Sequence, residues 1–141
     1  MTAQAKATGA QELDAVNRMI HDHWFNVEDV SHDAAGGTLS VTFTRPSETA
    51  EKTSRRILFF RRVCVPITEW SLEIGNVETY TLKETEGIGR YDFNELQFSE
   101  AERTLTVKTG VPLVFQIRVS ALDVTVRETG TVVAEKVYTT L

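Results

Sequence analysis

The stretch Thr104–Arg127, TLTVKTGVPLVFQIRVSALDVTVR, constrains the fold most, because apolar and polar residues alternate through nearly all of it. Leu105 and Val107 alternate with Thr104, Thr106 and Lys108, the period-two pattern of a strand with one buried face. Gly110-Val111-Pro112 then interrupts: Pro112 cannot donate to a ladder, and Gly110 can take the positive φ of a tight reversal. Leu113, Phe115, Ile117 and Val119 form the next apolar set, opposed by Gln116, Arg118 and Ser120. At Ser120-Ala121 the phase flips, and Leu122, Val124 and Val126 become apolar against Asp123, Thr125 and Arg127. A slip of one residue turns a strand inside out. A β-bulge near Ser120 would keep one long strand and bend it around the core, as in a barrel or a strongly curved sheet. A break there would give two strands and a flatter sandwich. The bulge is the more economical expectation.

At 141 residues the chain is expected to form a single domain over 1–141, long enough to fold without disulfides or metal. The lone Cys64 excludes an intramolecular disulfide framework, and its apolar strand context reads as a small buried hydrophobe. No apolar run approaches the roughly 18 residues of a membrane helix, and MTAQAKATGAQ has no hydrophobic signal core. The expectation is a soluble, cytoplasmic protein with no membrane partner. The net charge of −5 argues against general binding to nucleic acid or anionic membranes.

Residues 1–8 are small and polar and are expected to fray. Thr8 and Gln11 fit a capping box, and Glu12 and Asp14 suit the positive end of a helix. Leu13, Val16, Met19 and Ile20 then mark one apolar stripe of a helix over 9–22. Antiparallel strands follow over 24–138. Trp24–Val30 and Thr38–Thr44 form a hairpin with Leu39, Val41 and Phe43 inward, and 45–54 is a polar, flexible loop. Arg55–Val65, RRILFFRRVCV, is apolar on both faces at its centre and reads as a central strand covered on both sides. Trp70, Leu72 and Ile74 point inward, Val77–Lys83 suits a sheet edge, and the phase slips again at Asn94-Glu95. Glu128-Thr129-Gly130 turns the chain into a last strand, Thr131–Tyr138. The fold class is α+β, predominantly antiparallel β. The N-terminal helix packs on a curved sheet, in a sandwich or barrel of about eight strands.

Four constellations bear on chemistry. His21, His23 and His32 are candidate metal ligands, although a helix would splay His21 and His23 apart and a cationic His suits a helix C-terminus. Arg55, Arg56, Arg61 and Arg62 flank Phe59 and Phe60 in the basic–aromatic manner of single-strand nucleic-acid binders. Alternation divides these arginines between two faces, and residues 67–102 are strongly acidic, so cross-strand Arg–Glu pairing is expected and nucleic acid is disfavoured. Asp92, Asn94 and Glu95 cluster near Tyr91, and paired acids there or at Asp123 could do general acid–base work or bind Ca²⁺, but Asp123 alternates outward, towards Arg118 or Arg127. Gly87 and Gly89 mark a turn rather than a phosphate cradle, and no nucleophile elbow, P-loop or dinucleotide fingerprint is present. The preferred function is a non-enzymatic β domain, without cofactor, that acts by protein–protein contact or as a homo-oligomer. The alternative is a small-ligand binder or enzyme with a pocket between helix and sheet, lined by Trp24, Phe60, Trp70 and Tyr91.

Overall fold

A computed structural model describes residues 3–50 and 52–140. In chain order these form β1 (Gln4–Ala7), a 3-10 turn (Ala10–Glu12), α1 (Leu13–Ile20), β2 (Trp24–Asp33), β3 (Thr38–Pro46), β4 (Thr53–Ile57) and β5 (Phe60–Ile74). They continue as β6 (Val77–Glu84), β7 (Arg90–Ser99), β8 (Thr104–Thr109), β9 (Leu113–Val119) and β10 (Val124–Thr140). The protein is α+β and mostly antiparallel β. Its strands run in the order β1-β10-β5-β3-β2-β7-β8-β9-β6, with β4 added beside β5. The path ends at β1 and β6 without pairing them, so the sheet is open rather than a closed barrel.

Side chains meet across strands that are not hydrogen-bonded neighbours. Phe25 of β2 lies 6.2 Å from Phe115 of β9, and Phe43 of β3 lies 5.3 Å from Phe93 of β7. The sheet therefore folds over its own inward face. Leu39, Val41, Phe43, Trp70, Leu72, Ile74, Phe115, Ile117 and Val119 all join one buried cluster, as their alternation predicts. α1 buries Leu13, Val16 and Ile20 against β1, β7 and β10. The β2–β3 hairpin, the edge position of β6 and the bulge between Phe93 and Glu95 also match the sequence pattern.

Several expectations are corrected. Much of the tail expected to fray over 1–8 is ordered: Gln4–Ala7 pairs with Val124–Arg127, and Ala7 is buried, because the outer edge of β10 leaves backbone groups for it to satisfy. Met1 and Thr2 lie outside the described residues. The helix is shorter than 9–22, and the carboxylate of Glu12, rather than Gln11, accepts from the Thr8 amide and hydroxyl. The described residues form ten strands, against about eight expected. The phase flip at Ser120 is a break between β9 and β10, not a bulge: β9 pairs with β6 and β8, whereas β10 pairs with β1 and β5. The expected turn at Glu128-Thr129-Gly130 is instead a bulge within β10, between Glu128 and Val132, with Gly130 at φ 91°.

Candidate functional site

The largest departure is Arg55–Val65. It is not a covered central strand. Ile57 pairs with Phe60, so Leu58-Phe59 is the two-residue turn of a β4–β5 hairpin. The last residues of β10, from Val132 to Thr140, line the other side of β5. The result is a three-stranded arm that stands off the folded body and has exposed side chains on both faces. Leu58 and Phe59 at its tip are 81% and 83% exposed, higher than the other large hydrophobics of the described residues. Ile57, Phe60, Val137 and Tyr138 are also exposed.

The arginines sit directly behind the tip. Arg56 lies opposite Arg61 and Arg55 opposite Arg62, so like charges face each other across the hairpin. Such pairs are unfavourable in isolation. The expected Arg–Glu ladder is absent: among the described residues no ion pair involves these four arginines, while Arg127 pairs with Glu73 and Arg103 with Glu78. Six of the chain's 15 basic residues but one of its 20 acids fall in 52–65 and 132–140. The arm thus carries +5 and the remainder −10.

A buried carboxylate holds the base of the arm. Glu128, 1% exposed at the β10 bulge, accepts from the hydroxyls of Ser47 (2.5 Å), Thr49 (2.5 Å) and Thr68 (2.6 Å). Thr68 in turn accepts from Trp70 Nε1 at 3.0 Å. These bonds fix Ser47–Ala50, so this part of the loop expected to be flexible is pinned; Glu51 lies outside the described residues. Burial raises the Glu128 pKa, but the three hydroxyls together outweigh it and hold the carboxyl below its ordinary value. Because the folded pKa is depressed, this stabilisation is complete above the unfolded value and is lost as pH falls through the folded one. Glu128→Gln is expected to lower stability by about 1–3 kcal/mol near neutral pH. It should also flatten the acid side of the stability–pH curve. Urea titrations from neutral to acidic pH would test this, and parallel curves for wild type and variant would contradict it.

The candidate ligand residues do not line one pocket. Trp70 and Tyr91 are buried in the core, Phe60 lines a small groove on the arm with Arg56, Phe59, Arg61 and Thr140, and Trp24 faces a separate groove on the body. Burial first, then donation to Glu84 Oε1, raises the Tyr91 pKa, so its hydroxyl stays a neutral donor. The Trp24 groove, about 480 Å³, is open and is also lined by His23, Arg45, Arg90 and Lys136. The Arg90 guanidinium lies 5.3 Å from the Trp24 ring. Burial first, then the charge of Arg45, holds His23 below its ordinary value.

The three histidines are separated. His21 Nδ1 lies 2.8 Å from the Asn94 carbonyl, His23 stacks on Phe43, and His32 sits edge-on to Tyr80. Among the described residues no three metal-donor side chains converge. Asp92 accepts from the Gly110 and Val111 amides, and a Cβ at Gly110 would come within 2.4 Å of that carboxylate. Gly110 is needed for this close approach, not for a positive φ. Asp123 pairs with Lys6 at 3.8 Å, not with Arg118 or Arg127, and Cys64 is half-buried on the arm. No protein-family model matches the chain, and no curated protein or solved structure is significantly similar to it.

Leu58 as a tip residue and the Glu128 clamp are not identified by the sequence reading. A signal for the first is present in RRILFFRR, which is symmetric in residue type about Leu58-Phe59. That symmetry marks a two-residue hairpin even without Gly or Asn. The clamp draws on residues 60 to 81 positions apart and has no local signal.

Proposed function

We propose that this chain acts by contact rather than catalysis, with the arm as its contact element and an acidic surface of another macromolecule, such as a protein or a second copy of this chain, as its counterpart. The separation of charge carries the reading: +5 on a projecting, uncovered arm and −10 on the remainder. Exposed apolar surface next to unneutralised arginines is the pattern of an interaction site. The acidic body supplies complementary charge for self-association.

A chain of net charge −5 ordinarily passes through a cation-exchange resin at pH 7. This one is expected to be retained at low salt, because the arm acts as a separate cationic patch. Arg55, Arg56, Arg61 and Arg62 all replaced by Ser should abolish retention. Sedimentation at low salt should likewise show concentration-dependent growth beyond 15.8 kDa that salt and the quadruple variant both reverse. Flow-through of the wild type would remove the patch, and a monomer at every salt would remove self-association.

A further inference from the structure

We infer that the arm docks on an anionic lipid surface, with Leu58 and Phe59 entering the headgroup–acyl boundary and Arg55, Arg56, Arg61 and Arg62 meeting the phosphates; this rests on the arm being the contact element. The arm is layered along its axis. Leu58 and Phe59 form the extremity, Ile57 and Phe60 (44% and 47% exposed) come next, then the Arg56/Arg61 pair, then the Arg55/Arg62 pair. At a rise of about 3.3 Å per residue, the apolar cap is roughly 7 Å deep before the first arginine. A membrane interface has the same sequence of layers, and interfacial apolar groups enter it by about 5–10 Å.

The arginines also surround the shaft. Strand alternation puts Arg55 and Arg62 on one face and Arg56 and Arg61 on the other. A protein groove or a nucleic-acid strand would engage one face at a time, whereas a fluid surface wraps the shaft and meets both. Whole-chain net charge is a poor guide here, because Phe60 to Val65, where β5 becomes buried in the body, spans about 17 Å of strand. That exceeds the Debye length of about 8 Å at physiological salt, so the acidic body is screened from a surface that the tip touches. The turn itself points the same way. Leu58 has φ 54°, a conformation that hairpin turns normally give to Gly or Asn. A bulky apolar side chain is held there at a conformational cost and faces solvent, the kind of outlier that marks a functional position.

The test is co-sedimentation of the full chain with vesicles of phosphatidylcholine alone or containing about 30 mol % phosphatidylserine. The wild type is expected to bind the anionic vesicles at least about tenfold more tightly. Leu58→Asn with Phe59→Ser should lose about tenfold or more of that binding, yet still be retained on the cation exchanger. This variant should fold at least as well as the wild type, since Asn tolerates positive φ. Arg→Lys at all four positions should keep binding and Arg→Ser should remove it. Phe59→Trp should show a blue-shifted emission on anionic vesicles. No binding to anionic vesicles, or equal binding by the tip variant, would overturn the inference. So would tighter, tip-dependent binding to duplex DNA. Vesicle binding can fail while retention on the exchanger persists, which leaves the arm as a contact element with a different counterpart. Loss of retention itself would remove the contact reading.

Discussion

Trp70→Ala is expected to lower the unfolding free energy by about 3–5 kcal/mol. Trp70 is fully buried, with its ring centroid 6.5 Å from that of Phe43 and 4.6 Å from the Arg45 guanidinium. Truncation removes the transfer free energy of an indole and leaves a cavity that flanking strands cannot close. It also removes the Nε1 donor to Thr68, the hydroxyl that bonds Glu128. The loss should therefore reach the base of the arm, and hydrogen exchange should rise at Ser47–Ala50 as well as in the core. Trp24→Ala is the control. Trp24 is 41% exposed and stacks only under Arg90, so about 1 kcal/mol or less is expected. Urea titration reads both. Equal midpoint shifts for the two variants would mean that Trp70 is not the packing centre assigned to it.

The second large effect is on β9. Phe115→Ala should cost about 3–5 kcal/mol and Ile117→Ala about 2–5 kcal/mol. Both side chains are fully buried, and Phe115 reaches Phe25 from the opposite part of the folded sheet. Gln116→Ala and Arg118→Ala, on the outward face of the same strand, should change stability by no more than about 0.5 kcal/mol. Four urea titrations would give an alternating pattern along the strand. A smooth gradient, or the reverse alternation, would show the wrong face buried.

The success of alternation on β9 and its failure on the arm have one cause. Period two reports which side chains share a face, and Phe115 and Ile117 declare theirs because polar neighbours separate them. Ile57-Leu58-Phe59-Phe60 has no such separation, and a short apolar run is ambiguous between a covered strand and other structures. The covered strand is the usual solution, yet here the run is a turn in solvent. Arg–Glu pairing was expected from composition along the chain. Pairing partners are set by topology, which folds the basic segment onto itself and leaves the acids on the body.

By itself the sequence determined the antiparallel β class, the inward faces of β3, β9 and the second half of β5, the apolar stripe of α1 and the edge position of β6. Each of these follows from local periodicity, which near-neighbour sterics and burial impose. Only the tertiary structure decided three other things. The phase flip at Ser120 became a crossing between two parts of the sheet. Glu128 gathered Ser47, Thr49 and Thr68 from distant segments, and residues 52–65 and 132–140 came together as an exposed arm. All three depend on which strands meet. Strand partners are chosen by the free energy of closing long loops and burying the whole core, and no window of sequence contains that sum.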